Sequence, residues 1–526
     1  MKGTTLRLFD MLTPADIEFI VANEGADVTR LLLAGTAKGR KGNAALGKGN
    51  ATPGGNFACE VNIPLCCKCI QAREKMKVKA PIWYRNPSLA YPFAVSVEQG
   101  SSQATALFKQ SIIAGLMNST PDTLSGNAPI FPNENTFCND PSGNQTIFPN
   151  ENTFCNDPSR NQTIFPNGKA EDPIGKNTII TADLTGGMGI DSFFISRIAS
   201  KHYYFERNAE LCAATKYNFR QLGAGNIEVS NRDITADDCA VLRELEGKGV
   251  SLIYIDPARR TASGGKAILL QDYEPNVIEL QERLFAVSRY ILVKVSPMAD
   301  IKLNLRHLPC TSAVYVVAVG NECKELLFLL DREHNGAEPP VYCFNVVLLQ
   351  KKLNNSTIDN QNSGNSFSTR PYNFDYLQVV QKDIIKISEE EAAEATYAKE
   401  LGKYLYEPGK AILKGGAYKL ISKRYGCRKL APSTHLYTSD ETIPDFPGKA
   451  FMVEEVVPFN KKSLKEVAAR HPKADLTARN FPMDTNALKK ISGIKDGGER
   501  HIFAATLSNG EKILVITLPV HTTTCP

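Results

Sequence analysis

Between residues 178 and 332, short apolar segments alternate with stretches of helical length, and this alternation restricts the possible folds more than any other feature. Continuous apolar strands separated by helices predict a parallel sheet that is covered on both faces. The last two strands are joined only by residues 320–324, too few for a crossover helix, so the final strand is expected to run antiparallel. We therefore predict an α/β, Rossmann-like sheet of seven strands at 179–184, 202–205, 227–230, 250–255, 290–295, 313–319 and 325–330.

Glycine or acidic residues follow the first four predicted strands, at the edge where an open α/β sheet binds its ligand. The first strand ends in DLTGGMG at 183–189, whose glycines would let the backbone approach a ligand closely. The next three are followed by Glu206, by Asp233 and by DPARR at 256–260. Turn glycines and capping aspartates would explain each feature singly. Their occurrence at one crevice predicts a nucleotide-like cofactor.

The residues around the glycines distinguish between two classes of cofactor. Residues 187–192, GMGIDS, come close to the G-x-G-x-x-G pattern of dinucleotide sites but end in Ser192. Asp183 precedes the glycines, where a fixed negative charge would repel a pyrophosphate and attract a cationic amino-acid group. S-adenosylmethionine carries an ammonium, a sulfonium and no phosphate, so the pattern favours this cofactor.

With these motifs, residues 178–332 resemble a class I S-adenosylmethionine-dependent methyltransferase, and residues 183–189 resemble its first motif. The resemblance implies that Glu206 holds the ribose and that Asp233 faces the adenine. It places Asp256 in the family's fourth motif, next to the methyl group. The implied cofactor-binding residues are Asp183, Thr185, Gly186, Gly187, Gly189, Glu206, Asp233 and Asp256.

The fourth motif differs from that of methyltransferases acting on base amines, in which Asp-Pro-Pro or Asn-Pro-Pro precedes an aromatic residue. Here Ala258 and Arg259 follow Pro257, and no cysteine lies close behind Asp256 to act as a covalent nucleophile. Methyl transfer needs mainly in-line positioning, and a general base where the acceptor loses a proton. The catalytic candidates are therefore Asp256, Pro257 and Arg259. Asp256 could orient or deprotonate the acceptor, while Arg259 either holds a substrate phosphate or pairs with surface carboxylates.

The first 125 residues are predicted to form a helical domain with a flexible, glycine-rich insertion near 35–60. A zinc site is an alternative here, but the cysteines lack the paired C-x2-C spacing of structural zinc. We expect buried helix cysteines and no metal centre. The cysteines concerned are Cys59, Cys66, Cys67 and Cys69.

A polar segment at 98–105 precedes the last predicted helix of this domain. It either caps that helix or brings Gln99, Ser101 or Lys109 to the mouth of the cofactor site.

Low-complexity segments interrupt the apolar patterns at two further places. Residues 130–146 recur as residues 147–163 with a single substitution, and their Asn and Pro content favours turns. We assign 126–172 to a linker, 173–345 to the Rossmann-like methyltransferase domain, and 346–375, rich in Asn and Ser, to a disordered loop.

Basic residues are concentrated after residue 400: residues 401–526 contain 20 Lys and Arg against 12 Asp and Glu, a net charge of +8. Seven of these cations lie within 409–429, without an acidic residue and with Tyr418 and Tyr425 between them. Such cations can follow a phosphate backbone and tyrosines can stack on bases, although a solvated basic helix would show the same pattern. The candidate RNA-binding residues are Lys410, Lys414, Lys419, Lys423, Arg424 and Arg479.

The same region resembles the C-terminal part of a bacterial methyltransferase family that has a ferredoxin-like unit and a THUMP-like domain. The motif YLYEP at 404–408 is similar to the first unit, assigned to 395–445, and RNFP at 479–482 is similar to the second, assigned to 446–520. Because THUMP domains bind structured RNA, the resemblance implies an RNA substrate, tRNA or rRNA.

The N-terminal residues lack a signal-peptide pattern, and no apolar run approaches the ~20 residues that span a bilayer. The thirteen cysteines are an odd number without regular spacing, which favours free thiols in a reducing compartment. We therefore expect a cytoplasmic RNA methyltransferase without a membrane partner. A nicotinamide-dependent oxidoreductase and a non-catalytic RNA-binding protein are the alternatives, and the RNA, the methylated atom and the oligomeric state are left open.

Overall fold

The computed structural model describes most of the predicted domains but not the predicted insertions. The part of the predicted insertion from residue 39 onward, with Cys59, lies outside the described residues, as do Arg260, most of the repeats and residues 353–372. The described residues are 11–38, 61–118, 137–139, 145–147, 178–236, 238–259, 270–352 and 373–520.

Helices fill the N-terminal region and then alternate with strands. They are Pro14–Ala22 (α1), Val28–Lys38 (α2), Ile63–Lys79 (α3), Pro81–Tyr84 (α4), Ala94–Gln99 (α5), Gln103–Asn118 (α6), Ile190–Ser196 (α7), Ala209–Gln221 (α8), Ala240–Leu245 (α9), Val277–Val287 (α10), Ile301–His307 (α11), Ile387–Ala392 (α12), Lys410–Gly415 (α13), Lys419–Tyr425 (α14), Lys461–Arg470 (α15) and Thr485–Ser492 (α16).

The strands belong to two large sheets and one two-residue pair. They are Phe137–Asn139 (β1), Gln145–Ile147 (β2), Ile180–Asp183 (β3), Lys201–Phe205 (β4), Ile227–Ser230 (β5), Leu252–Ile255 (β6), Ala258–Arg259 (β7), Tyr273–Glu274 (β8), Tyr290–Val295 (β9), Thr311–Val319 (β10), Glu322–Asp331 (β11), Val341–Lys352 (β12), Asn373–Ile385 (β13), Tyr404–Pro408 (β14), Arg428–Ala431 (β15), Thr434–Ser439 (β16), Gly448–Pro458 (β17), Asp475–Arg479 (β18), His501–Thr506 (β19) and Lys512–Pro519 (β20).

The central sheet confirms the predicted Rossmann-like fold. Its seven predicted strands lie in the order β5-β4-β3-β6-β9-β11-β10. Neighbours among β5, β4, β3, β6 and β9 are parallel, whereas β11 is antiparallel to both β9 and β10. The seventh strand is therefore inserted between the fifth and the sixth, which brings its first residues to the edge where the parallel strands end.

The hairpin between β10 and β11 is tighter than the predicted five-residue connection. Val319 faces Glu322, so the loop is only Gly320 and Asn321. Both residues have positive φ angles, +57° and +63°, as a two-residue type I′ turn requires.

The sheet continues beyond the seven strands in a way that the sequence pattern does not predict. Strand β12 runs parallel to β10 and enters the segment 346–375 that was assigned to a loop. Strand β13 pairs antiparallel with β12 along its whole length, and the short strands β2 and β1 from the repeats follow it. The residues between β12 and β13 carry the Asn and Ser content that suggested a loop, whereas the first strand itself is an apolar run.

Both faces of the central sheet are covered, as the continuous apolar strands predict. Alternate residues of β10 point in opposite directions: Tyr315 belongs to the core formed with the N-terminal helices, and Val316 belongs to the core on the other face. On the first face, the buried ring of Phe108 in α6 lies 6.4 Å from the ring of Tyr315 and 5.0 Å from that of Phe344. Helix α6 is thereby fixed against the sheet.

The C-terminal region forms a second sheet with the order β15-β16-β14-β17-β20-β19-β18. Its helix α13 packs against the central sheet, where Gly415 lies so close to Cys343 and Ile385 that a Cβ atom would collide with them. Lys414 Nζ donates to the carbonyl of Ala299 at 2.7 Å, which adds a polar contact to this docking. The predicted basic run 409–429 therefore forms two short helices and the start of a strand rather than one helix, because Gly416 (φ +91°) ends α13.

Among the described helices, none combines the length and the apolar composition needed to cross a membrane.

Replacing Phe108 by alanine should lower the free energy of unfolding by about 3–5 kcal/mol, since the substitution leaves a cavity between α6 and the sheet. Urea denaturation followed by circular dichroism measures the change. The control is Val78→Ala in α3, where the side chain is 85% exposed and the expected change is within about 0.5 kcal/mol. Equal effects of the two substitutions would contradict this account of the interface.

Candidate active site at the carboxyl edge of the sheet

The glycines after β3 form a loop whose conformation excludes side chains. Gly187 and Gly189 have positive φ angles of +56° and +78°. A Cβ atom on Gly189 would lie 2.5 Å from Thr215 Cγ2, and one on Gly186 would collide with the ring of Tyr204. Tyr204 also donates its hydroxyl to the carbonyl of Gly187 at 2.6 Å. The loop therefore presents bare backbone, pressed against β4 and α8, at the end of β3.

The buried Asp183 fixes the start of this loop through hydrogen bonds. Its side chain is buried; one oxygen accepts from the amide of Thr185 at 3.0 Å and the other from Ser192 Oγ at 2.5 Å. Burial raises the pKa of Asp183 to about 7, against the opposing effect of these two donors. Ser192, which stands where the G-x-G-x-x-G pattern has its third glycine, thus serves as a hydrogen-bond donor to Asp183.

Glu206 joins the glycine loop to the end of β4. Its Oε2 accepts from the amide of Gly187 at 2.9 Å and its Oε1 from the amide of Asn208 at 2.7 Å. The carboxylate is half-buried at the strand edge. Since each carboxylate oxygen can accept more than one hydrogen bond, both retain the capacity to accept from a ligand.

Asp233 lies on the next strand end along the sheet. It accepts two hydrogen bonds from Thr235, one from the amide at 2.9 Å and one from the hydroxyl at 2.7 Å. Burial would raise the pKa of Asp233, but these two bonds outweigh it and lower the pKa. Asn231, two residues earlier, donates to the carbonyl of Glu206 at 2.7 Å, so the two strand ends are connected.

Asp256 is tied to the glycine loop through its backbone. Its amide donates to Thr185 Oγ1 at 2.7 Å, which places the fourth predicted strand end beside the first. Pro257 is buried, and β7 pairs with β8 immediately afterwards. The side chain of Arg259, the third catalytic candidate, lies outside the described part of the structure.

The side chain of Asp256 makes an ion pair with Lys294, a residue that the strand-end motifs did not indicate. Lys294 Nζ lies 2.5 Å from Asp256 Oδ2 and donates to Ser101 Oγ at 3.3 Å. Burial would lower the pKa of Lys294, but Asp256, Glu325 and Asp191 together raise it above its ordinary value. The sequence feature that could have indicated Lys294 is its position as a single lysine inside the otherwise apolar strand YILVKV.

Behind this pair lies a buried ionic cluster. Lys109 of α6, completely buried, lies 3.1 Å from Asp191 Oδ1 and 2.7 Å from Glu325 Oε1. Asp191 also accepts from Ser101 Oγ at 2.6 Å and from Tyr254 OH at 2.7 Å. Burial would raise the pKa of Asp191, but Lys109 and Lys294 lower it; for Glu325, burial prevails and raises the pKa.

The N-terminal domain thus contributes side chains to the strand edge, while the prediction that the segment 98–105 lies at the mouth of a cofactor site stays a prediction. Ser101 and Lys109 reach this cluster, whereas Gln99 is exposed. Gly100 lies against Met188 in the glycine loop, since a Cβ atom added to Gly100 would lie 3.7 Å from Met188 Cβ. Sequence reasoning could not have found Glu325, because it meets Lys109 across 216 residues.

Several of the six predicted RNA-binding cations have partners within the chain. Arg424 pairs with Asp383 at 3.0 Å and Arg479 pairs with Glu407. Lys414 and Lys419 donate their Nζ atoms to backbone carbonyls. Lys410 lies 3.8 Å from Glu407, and Lys423 is exposed on α14. Arg424 and Arg479 therefore have a structural role in this fold.

The described cysteines of the N-terminal domain are buried in α3. Cys66 Sγ lies 3.4 Å from Asp16 Oδ1, and burial raises the pKa of Cys69 to about 11. Among the described residues, no group of three or more His, Cys, Asp or Glu side chains is arranged to hold a metal ion.

Comparison with known protein families assigns the C-terminal region. A ferredoxin-like domain model matches residues 404–447, and a THUMP domain-like model matches residues 448–519. No curated protein matches the chain.

Comparison with solved structures addresses the fold of the whole chain. A protein from Porphyromonas gingivalis W83, provisionally assigned as a methyltransferase, superimposes with a TM-score of 0.67 at 24% identity, covering 97% of this chain and 100% of its own. An rRNA methylase from Streptococcus thermophilus matches at 16% identity and a TM-score of 0.22, over 29% of this chain and 87% of its own. A SAM-dependent methyltransferase from Aquifex aeolicus gives 16% identity and a TM-score of 0.22, over 30% and 84%.

The last two scores are too low to support a conclusion about this chain, and the first establishes a shared fold. The strand order agrees with a class I methyltransferase fold, and the two family models identify a ferredoxin-like and a THUMP-like domain in the C-terminal region.

Proposed function

We propose that this protein is an S-adenosylmethionine-dependent methyltransferase that acts on RNA, with tRNA or rRNA as the substrate. The observation that carries the proposal is the joining of three strand ends around one glycine loop. The loop binds Glu206 through the Gly187 amide and Asp256 through the Thr185 hydroxyl. A ligand lying over the loop would meet bare backbone, one carboxylate at each side and a lysine.

The residues present fit this cofactor. Gly186, Gly187 and Gly189 would face its amino-acid part, Glu206 would accept from the two ribose hydroxyls, and Asp233 would face the adenine. When bound, the cofactor supplies a methyl group on a sulfonium, activated for displacement. Asp256 at the neighbouring strand end would then orient the acceptor.

Asp183 supports the cofactor indirectly in this proposal. Only 1% of the residue is exposed, and both carboxylate oxygens already accept hydrogen bonds from Thr185 and Ser192. Asp183 therefore acts by fixing the glycine loop, whereas the sequence pattern suggested a direct contact with the ammonium group.

The THUMP-like domain supports RNA as the substrate. A surface groove of about 430 Å³ lies between the end of α15 and the segment after α16. Lys473 and Lys495 are exposed there, while Arg470 and Arg500 pair with Glu455 and Glu454. The lining residues are Arg470, His471, Pro472, Lys473, Gly493, Lys495, Glu499 and Arg500. Together with Lys423, these exposed lysines are suited to phosphate contacts.

The strand order argues against the oxidoreductase alternative. Dinucleotide-binding sheets have the order 3-2-1-4-5-6 without an antiparallel strand between the fifth and the sixth, whereas β11 occupies that position here. A calorimetric titration separates the proposals, since binding of NAD without binding of S-adenosylhomocysteine would refute ours. Cofactor binding without methyl transfer to any RNA would favour the non-catalytic alternative.

Replacing Glu206 by glutamine should weaken S-adenosylhomocysteine binding about tenfold or more, because an amide replaces a charged acceptor of ribose hydrogen bonds. Isothermal titration calorimetry measures the change. The matched control is Glu228→Gln on the adjacent strand, where the side chain pairs with Lys201 at 2.7 Å on the exposed surface. If Glu206→Gln binds S-adenosylhomocysteine with an affinity within twofold of the original, Glu206 does not contact the cofactor.

Replacing Asp183 by asparagine should change how stability depends on pH. The folded-state pKa of about 7 exceeds the ordinary value of 3.8, so the folded chain binds an extra proton between these values. This contribution to stability is present at low pH and is lost as the pH rises towards 7. Relative to Asp183→Asn, the original protein should thus be more stable at pH 5 than at pH 8 in thermal unfolding.

The control for the pH experiment is Asp238→Asn, since the pKa of exposed Asp238 is lowered by its hydrogen bond and ion pair with Arg283. This control should show no loss of relative stability between pH 5 and pH 8. A stability difference for Asp183→Asn that stays constant with pH would refute the raised pKa.

A further inference from the structure

We propose that Lys294 and Asp256 are the catalytic pair of this site and that the methyl acceptor is a ribose 2′-hydroxyl of the RNA. The inference rests on the proposed function and adds the acceptor class to it. It depends on which charged groups at the strand edge are exposed to a substrate, and on whether these groups can accept a proton or stabilise a negative charge.

Exposure separates the pair from the rest of the ionic cluster. The side chains of Asp256 and Lys294 are 33% and 14% exposed, whereas those of Lys109, Glu325 and Asp191 are 0%, 2% and 10% exposed. Asp191 is already occupied by Lys109, Ser101 and Tyr254. Asp256 also stands beside the glycine loop, through its hydrogen bond to Thr185. An acceptor presented next to the cofactor's methyl group would therefore meet Asp256 and Lys294, and not the residues behind them.

The residues behind the pair act on Lys294 through Ser101 and through charge. Ser101 accepts a hydrogen bond from Lys294 and donates one to Asp191, while Lys109 bridges Asp191 and Glu325. The charges of Asp191 and Glu325 help to raise the pKa of Lys294 and so keep its ammonium charged. Asp191 and Glu325 are thus positioning residues, and Lys109 holds these two carboxylates in place through its ion pairs.

The surroundings of Asp256 do not suit two other acceptor classes. Stacking of an extruded base would need an aromatic side chain after Pro257, but exposed Ala258 follows, and the ring of Tyr273 on the paired strand is buried. Methylation of a pyrimidine carbon would need a thiolate. Two described cysteines lie close enough to the carboxylates of this edge to interact with them, Cys212 with Glu206 and Cys323 with Glu325, and burial raises the pKa of each thiol to about 11, so both remain thiols.

A hydroxyl acceptor suits the pair. A hydroxyl must lose its proton as it attacks, so a carboxylate within reach can accept that proton, and a neighbouring ammonium can stabilise the developing negative charge on oxygen. In the transfer, the O–CH₃ bond forms and the S–CH₃ bond breaks, with its electron pair staying on sulfur. The O–H bond breaks and the proton passes to Asp256, from which it leaves to water. The products are the 2′-O-methyl ribose, S-adenosylhomocysteine and one proton.

The position of the label identifies the acceptor. The full-length protein is incubated with tritiated S-adenosylmethionine and total RNA from cells that lack it, and the RNA is hydrolysed with alkali. Alkaline cleavage uses the 2′-hydroxyl as nucleophile, so a 2′-O-methyl group leaves the label in dinucleotides, which is the expected result. Label in mononucleotides would overturn the inference and leave the proposed function intact. Absence of label from all RNA would instead refute the proposed function.

A lysine variant tests the role of Lys294. Lys294→Met should lower the labelling rate about 100-fold or more, with S-adenosylhomocysteine affinity within about threefold of the original. The matched control, Lys201→Met on the exposed side of β4, should label RNA at the original rate. Labelling by Lys294→Met within threefold of the original would overturn the catalytic assignment.

If Lys294→Met loses cofactor binding, Lys294→Arg takes its place, since it keeps the positive charge. The larger, planar guanidinium can still pair with Asp256 but cannot place a compact charge where Lys294 Nζ lies, so the expected result is a labelling rate lowered about tenfold or more with cofactor binding retained. Full activity of this variant would overturn the assignment.

Discussion

The buried Lys109, the partly buried Lys294 and the carboxylates around them hold the N-terminal helices against the carboxyl edge of the sheet. Removing such charges from water costs several kcal/mol per ion, and the cost is recovered only when every charge has partners in good geometry. Here Lys109 meets Asp191 and Glu325, and Lys294 meets Asp256. Apolar side chains could fill the same space without a loss of stability. The stability of the fold alone does not require charges in this place, and the proposed methyl transfer at this edge would account for them.

The conformation of the glycine loop depends on its hydrogen bonds to the neighbouring strand ends, and cofactor binding would depend on that conformation. The loop contacts three strand ends: the amides of Thr185 and Gly187 donate to the carboxylates of Asp183 and Glu206, and the Thr185 hydroxyl accepts from the backbone amide of Asp256. The loop conformation is therefore coupled to the directions of the Asp183 and Glu206 carboxylates and to the backbone position of Asp256. A substitution that forced Gly186 away from Tyr204 would also displace Glu206. The site is consequently preorganised by hydrogen bonds that no single motif contains.

The sequence predicts those parts of the structure that local patterns determine. Apolar strands, the glycines and the acidic strand ends all follow from neighbouring residues, and the antiparallel seventh strand follows from a connection too short for a helix. Contacts across long separations could not be predicted this way: Glu325 and Lys109 meet only because β11 turns back to the edge where α6 is docked. The basic run at 409–429 likewise suggested solvent-facing cations, but Arg424 pairs with Asp383 of β13 once the two sheets come together. Strand β12 was assigned partly to a loop because the Asn-rich residues that follow it dominated the composition.

The second sheet runs without interruption from the ferredoxin-like to the THUMP-like domain, since β14 of the first pairs with β17 of the second. Two domains that share main-chain hydrogen bonds cannot hinge freely, so they behave mechanically as one arm. These two domains are anchored beside the carboxyl edge of the central sheet, where the amide of Lys410 donates to Asn321 in the β10–β11 turn. If RNA binds at the THUMP-like end, as proposed, its distance from the carboxyl edge of the central sheet would be fixed. Target choice would then follow from the distance between two features of the RNA, and not only from the nucleotide that receives the methyl group.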